Sequence, residues 1–124
     1  MIEDIGAYLA TKSVGTVGTD LFLGSMPDKP DRCLALYALE GERPEFNWDA
    51  ERPGLTVRTR GADQAEATAL AASVWRELWN LTNVTMSGTV YHRIEARGSI
   101  APSGRDARGR CYSICNFAII KEVK

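Results

Sequence analysis

The residues with the greatest capacity for chemistry are one histidine and three cysteines. His92 is the sole histidine, while Cys111 and Cys115 stand four residues apart in a stretch that is typical of a strand. At about 3.3 Å per residue, this spacing leaves the two thiols roughly 13 Å apart. Two sulfurs that each bind zinc at about 2.3 Å cannot share one ion over that distance. An extended stretch is therefore incompatible with a metal site at these residues.

Other catalytic and ligand-binding patterns are also weak. A Cys–His nucleophile pair needs a third group to orient the base, and the sequence points to none. His92 is in phase with Val90 and Ile94, so we predict a partly buried structural histidine. The stretch GTVG at 15–18 is rich in glycine but lacks the lysine of a phosphate-binding loop. We therefore predict a protein that is not an enzyme and that holds neither a cofactor nor a metal.

The overall composition is that of one ordinary globular domain. The 124 residues are 44% hydrophobic and 25% charged, and the formal net charge is -1. This charge argues against a general nucleic-acid binder, which usually has a marked basic excess. No apolar run approaches the ~20 residues of a membrane span, and the N-terminus has no secretory pattern. We therefore expect no membrane partner, and reduced thiols in a cytosol.

A strand and a helix between residues 51 and 81 organise the predicted fold. Leu55, Val57 and Thr59 alternate with polar residues, as in a strand with one buried face. Asp63 stands three residues before Glu66, which is a capping pair typical of the start of a helix. Apolar residues then follow at spacings of three and four, and they predict a helix of roughly 28 Å.

Two tryptophans lie on the flank of this helical face. Trp75 and Trp79 are four residues apart, so they lie close together on the helix surface. Both fit the core, and one of them alternatively covers a subunit contact.

The remaining elements complete a sheet with helices on one side. We predict an amphipathic helix at 2–12, a hairpin turning at Ser87-Gly88, and strands at 21–23, 33–39, 84–86, 89–97 and 112–123. Residues 40–53 and 98–110 are interpreted as irregular segments. We therefore predict a single α+β domain over residues 1–124. A mixed, mostly antiparallel sheet packs in it against one long helix and a short N-terminal helix.

Two groups of side chains have alternative interpretations. Phe46 and Trp48 either fold back on the core or anchor a partner protein. Arg58 and Arg60 point away from the buried face of their strand, as a solvated surface or as an electrostatic partner surface. The 98–110 segment is locally basic, with Arg105, Asp106, Arg108 and Arg110 as its charged residues.

Several stretches of the chain resemble the small minor capsid or tail terminator proteins of long-tailed phages and prophages. These stretches are MIEDIGAYLATKSVGTVGTDLFLG, NWDAERPGLTVRTRG, the alanine-rich helix that follows, and GRDARGRCYSICNFAII. The most specific parts are the segment 52–61 and the Gly104-Arg105-Asp106 loop with Asn116-Phe117. The resemblance covers nearly the whole chain in the same order.

The resemblance implies a structural role in the virion and a tail-terminator-like α+β sandwich. Such proteins form a ring, usually of six copies, that caps the tail tube, ends its polymerisation and provides the surface that joins the head. DNA passes through the ring without sequence-specific binding. The implied partners are further copies of the chain, the tail tube protein and a head-completion protein, with assembly in the cytoplasm of the bacterial host.

For such a ring, we predict roles for the aromatic and charged surface residues. We assign Phe46, Trp48, Arg58 and Arg60 to the subunit contact, and Arg105, Asp106, Arg108 and Arg110 to docking on the tube end. One alternative is a head-completion or neck connector protein. The other is an enzyme or small-ligand module, which would have a pocket lined by His92 and the tryptophans.

Overall fold

The computed structural model describes residues 1–42 and 50–123 as one seven-stranded sheet with two helices. The helices are α1 (Ile2–Thr11) and α2 (Gln64–Leu78). The strands are β1 (Leu21–Leu23), β2 (Cys33–Glu42), β3 (Ala50–Gly61), β4 (Leu81–Met86), β5 (Thr89–Ala96), β6 (Ala101–Arg105) and β7 (Cys111–Glu122). Their order is β1-β2-β3-β7-β5-β4, and β6 pairs with β7 beside this path. Only the pair of β1 with β2 is parallel among the described strands.

The prediction of a sheet packed against one long helix is wrong, although the α+β class holds. Strands account for 48% and helices for 22%, so the sheet dominates and both helices are modest. Two segments interpreted as irregular contribute strand residues, because β2 extends to Glu42, β3 begins at Ala50, and β6 lies within 98–110. Proline and glycine in these segments obscured the strands, since such residues are tolerated at edges and bulges.

The helix α2 begins and ends as local chemistry dictates. The Asp63 carboxylate accepts a hydrogen bond from the backbone N–H of Glu66 at 2.8 Å, and the Glu66 side chain accepts one from Ala62. The capping pair predicted from the sequence is thus confirmed. The helix ends at Leu78, three residues before the predicted end, because Trp79 takes an extended backbone conformation. Neither α1 nor α2 is long and apolar enough to cross a membrane, within the part of the chain described.

The core lies between the helices and one face of the sheet. Alternate residues of β2, β3 and β7 point to this face and are fully or almost fully buried, as the period of two requires. They pack against buried residues of α1 and α2 in one hydrophobic cluster. Its members include Ile5, Leu9, Leu34, Leu36, Leu55, Val57, Leu70, Val74, Leu78, Cys115, Phe117 and Ile119.

The opposite face of the sheet carries the other set of alternate residues, and we call it the helix-free face. Tyr37, Thr56, Arg58, Ile114 and Asn116 belong to it, and the Thr56 hydroxyl donates to Asn116 Oδ1 at 2.7 Å. This face mixes buried, half-buried and exposed side chains.

Along β5, the alternation of side chains between the two faces of the sheet changes phase at His92. The pairing of β5 with β7 changes register between Tyr91 and Arg93, so one residue is inserted on the β5 side. Tyr91 is therefore buried at 1% exposure, and its hydroxyl donates to Asp4 of α1 at 2.7 Å. His92 is exposed. The prediction of a partly buried histidine is wrong because it assumed an uninterrupted period of two.

The strand β4 forms one outer edge of the sheet. Asn83, in its middle, takes a positive φ of 51°, which is a left-handed conformation that asparagine tolerates better than most residues. It lies opposite the irregular position of β5, where the β4–β5 pairing skips from Thr82 to Val84. The outer edge is consequently kinked.

Candidate assembly surface

Two loops meet at the end of the sheet where β2 begins and β3 ends. One is the turn 26–32, which precedes β2, and the other is the loop 105–110, which joins β6 to β7. Arg110 connects them. Its guanidinium donates to Asp106 at 2.8 Å within its own loop, and to the carboxylates of Asp28 at 3.0 Å and Asp31 at 3.2 Å in the other loop.

Asp106 organises the 105–110 loop from inside. Its Oδ1 accepts hydrogen bonds from the backbone N–H groups of Arg108 and Arg110, each at 3.0 Å. Its Oδ2 accepts from Arg110 Nε and from the Tyr112 hydroxyl at 3.0 Å. Desolvation alone would raise the pKa of Asp106, but the hydrogen bonds from Arg110, Tyr112 and Arg108 outweigh it and lower the pKa to about 2.

Arg110 is buried, and its own ionisation is coupled to these carboxylates. Desolvation opposes its charge, while the hydrogen bonds to Asp106 and Asp28 raise its pKa above the ordinary value. The bond to Arg110 also lowers the pKa of Asp28. All three groups are therefore charged at neutral pH, and they hold the two loops together.

The lowered pKa of Asp106 predicts a specific loss of stability in acid. Its folded pKa of about 2 lies below the ordinary value of 3.8, so the carboxylate stabilises the fold fully above about pH 4. That stability is lost as the pH falls from 3.8 towards 2. The melting temperature of Asp106→Asn is therefore expected to lie below that of the wild type at pH 7, and the gap should close in acid. A gap of constant size from pH 7 to pH 2 would contradict this assignment.

Of the four charged residues predicted for docking, two are exposed and two are bonded to each other inside the loop. Arg105 and Arg108 are exposed. Arg108 forms an ion pair with Asp28 at 2.8 Å, in which both side chains remain more than half exposed. Arg110 and Asp106 instead form the internal support of the loop. The structure thus brings all four together, with two of them facing solvent.

The two arginines predicted for the subunit contact also differ from each other in exposure. Arg60 is 2% exposed, and its guanidinium donates to the carbonyl oxygens of Asp31 at 3.1 Å and Pro30 at 2.6 Å. It supports the turn 26–32. Arg58 is half-buried, with its guanidinium carbon 4.1 Å from the centre of the Tyr112 ring. Phe46 and Trp48 lie outside the described residues.

Sequence reasoning missed Asp28, Asp31 and Tyr112 as partners of the arginines. Pro27 and Pro30 indicate a turn at 26–32 in the sequence, but they do not indicate which charged residues it contacts. The signal that was available is charge, because two aspartates in one loop complement an arginine-rich loop elsewhere in a near-neutral chain.

The tryptophans lie at the end of α2 that is nearer to β4. Trp75 is half-buried and contacts Phe117, with ring centres 5.9 Å apart. Trp79 stacks on Trp75 with ring centres 5.4 Å apart, yet Trp79 remains 50% exposed. Trp75 thus joins the edge of the core, and Trp79 covers it from the solvent side.

The groups considered for catalysis are not assembled in the described part of the chain. Cys33, Cys111 and Cys115 are buried and free, and burial raises the pKa of Cys115 to about 12, which disfavours a thiolate. No group of three or more potential metal ligands occurs within residues 1–42 and 50–123.

A surface groove of about 230 Å³ lies between α1 and the β4–β5 turn. Asp4, Tyr8, Thr11 and Met86 are among its lining residues, which include neither His92 nor a tryptophan. It therefore differs from the pocket expected of the ligand-binding alternative.

The fold and its charged loops are those of a small α+β protein that presents arginines on a rigid support. The chain belongs to the bacteriophage tail terminator protein family, whose model matches residues 8–123. This confirms the family expected from the sequence. A search of curated proteins found no match.

Solved structures share the fold at low sequence identity. A chain in the virion of a native gene transfer agent particle aligns with a TM-score of 0.61 and 14% identity, over 96% of this chain and 84% of that chain. A second solved chain aligns with a TM-score of 0.57 and 11% identity, over 98% of this chain and 90% of the other. At such identities the likeness establishes the fold alone.

Proposed function

We propose that this chain is a non-enzymatic virion protein that caps the tail tube as a ring, usually of six copies. The ring ends tube polymerisation and provides the surface that joins the head, with DNA passing through its centre. Membership in the tail terminator family supports this function, as does the fold shared with a chain of the gene transfer agent virion. The partners are further copies, the tail tube protein and a head-completion protein, and assembly takes place in the cytoplasm of the bacterial host.

The observation that carries the docking role is the rigid 105–110 loop. Arg110 and Asp106 fix its shape, so the backbone that presents Arg105 and Arg108 to solvent has little freedom to lose on binding. Exposed arginines suit an acidic patch on the tube end, where they favour encounter and register. Within the ring, Arg58 remains our proposal for the subunit contact, together with Phe46 and Trp48. Arg60 contributes by supporting the turn 26–32.

Tail length tests the terminator function directly. Tails assembled without this protein should be overlong in electron micrographs, and adding the wild-type chain during assembly should restore a uniform length. Tubes of normal length that fail to join heads would instead indicate the head-completion alternative.

Charge reversal tests the docking loop. Arg105→Glu/Arg108→Glu should fold normally, since both side chains are exposed, and should reduce the yield of joined particles by about tenfold or more. Arg105→Lys/Arg108→Lys keeps the charge and serves as the matched control. Normal particle yield from the glutamate variant, measured by plaque titre and microscopy, would remove the loop from the docking site.

A further inference from the structure

The two layers of the molecule carry opposite excess charge. Among the described side chains, the helix-free face has four arginines with at least partial exposure, Arg52, Arg58, Arg93 and Arg97, against two glutamates, Glu95 and Glu122. The helix layer, made of α1, α2 and their caps, has the reverse composition. Its acidic residues are Glu3, Asp4, Asp63, Glu66 and Glu77, and its positive groups are Lys12, Arg76 and the N-terminal amino group, which pairs with Glu3. A chain that is close to neutral overall is therefore polarised across its thickness.

The strand registers place these arginines on one face. Ile94 pairs with Ile119, and both point into the core, so Arg93 and Glu95 on either side of Ile94 point to the opposite face. Arg93 and Glu95 form an ion pair at 2.9 Å on that face. In β3, the positions of Arg52 and Arg58 differ by an even number, and the β3–β7 register runs without a shift between them. They therefore share the face as well.

The composition of the helix-free face is that of a protein-binding surface. Its described residues include no lysine. Tyr37, Ile114 and Ile120 are half-buried there, and Leu39 is 44% exposed. Arginine and aromatic residues are enriched at protein interfaces while lysine is depleted, and surfaces that bind nucleic acid are more polar and usually use both cations. An acidic protein surface is thus the favoured occupant.

The helix layer supplies such a surface with an aromatic anchor at the C-terminal end of α2. Trp79 is 50% exposed although it stacks on Trp75. Tryptophan is the most favourable aromatic residue for a guanidinium to stack on, and tryptophan and arginine dominate the energetics of many interfaces.

We propose that the helix layer of one copy packs on the helix-free face of the next copy, with Trp79 meeting the arginines around Arg97. The inference rests on the ring proposed above and specifies both of its contacting surfaces. Two different surfaces make a heterologous contact, which closes into a ring when the rotation between copies allows it.

A pair of charge-reversed variants of the full chain tests this contact. Arg93→Glu/Arg97→Glu makes the helix-free face acidic, and Glu3→Arg/Glu77→Arg makes the helix layer basic. Each variant alone then opposes like charges and should remain monomeric in sedimentation velocity at concentrations where the wild type assembles. An equimolar mixture restores opposite charges at every contact and should assemble again, with the two variants in a 1:1 ratio.

Two further variants define the contact. Trp79→Ala should weaken assembly by about 30-fold, as expected for an interface anchor. Lys29→Glu reverses an exposed charge in the turn 26–32, outside both surfaces, and should assemble as the wild type does. Assembly of either double variant alone at wild-type levels, or a mixture that stays monomeric, would overturn the proposal. A wild type that remains monomeric in solution and on isolated tubes would also overturn it. Tail length is measured separately, so a terminator that uses other contacts would still be recognised by overlong tails in its absence.

Discussion

Replacing Phe117 by alanine is expected to lower the free energy of unfolding by about 3–5 kcal/mol, the largest stability effect that we predict for a single side chain. Phe117 is fully buried in β7, the strand that lies between β3 and β5 in the sheet. It pairs with Leu55 on one side and with Ala96 on the other, and it contacts Trp75. A cavity here would remove contacts of the sheet and of α2 at once, so the surroundings have little freedom to collapse into it.

Denaturant unfolding followed by tryptophan fluorescence measures this effect. The midpoint should fall while the slope stays unchanged, because the surface exposed on unfolding is nearly the same. Phe117→Leu keeps most of the volume and is the matched control, with an expected loss of about 1 kcal/mol. A loss below about 1 kcal/mol for the alanine variant would contradict the position of Phe117 in the core.

Replacing Arg110 by methionine is expected to separate the 105–110 loop from the turn 26–32. Methionine keeps much of the length and apolar stem of arginine but removes the guanidinium of Arg110, which donates to Asp28, Asp31 and Asp106. Three carboxylates would then remain close together without their shared cation, and their mutual repulsion opposes the closed arrangement. The Asp106 bonds to the backbone of the loop should weaken as well.

Hydrogen exchange reports this change locally. The backbone N–H groups of Arg108 and Arg110 donate to Asp106, so their exchange should accelerate by at least about tenfold in Arg110→Met. Amides in β3 that pair with β7 should exchange as in the wild type, since they lie in the sheet. The yield of joined particles should fall with the order of the loop. Unchanged exchange at Arg108 would show that the loop keeps its shape without Arg110.

The sequence predicted individual local elements better than it predicted the share of the chain that forms strands. The capping pair at Asp63 and Glu66, the Ser87-Gly88 hairpin and the N-terminal helix depend on near neighbours, and all three are confirmed. The bulge at His92 was not predictable from alternation, because its cause is the pairing of β5 with β7. The strand β6 was missed for a related reason, since a short strand containing proline and glycine is defined only by its partner.

The candidate surface was predicted in composition but not in arrangement. The sequence predicted that the 105–110 loop is basic, and the exposed Arg105 and Arg108 give its surface that character. The roles of Arg60 and Arg110 as internal supports depend on the turn 26–32, which lies about 80 residues before Arg110 in the chain. Pairings across such a separation require the sheet topology, which local patterns do not contain.

The kinked outer edge of β4 has a consequence for how copies avoid uncontrolled growth. A straight, unpaired edge is a template on which another chain adds a strand, and repeated addition leads to fibres. The left-handed backbone of Asn83 interrupts the row of donors and acceptors that such addition needs. Straightening this edge, for example with a β-branched residue at position 83 that accommodates to an extended backbone, would create a chain prone to amyloid-like precipitation during expression. Asparagine at this position thus opposes the addition of a strand from another copy at this edge.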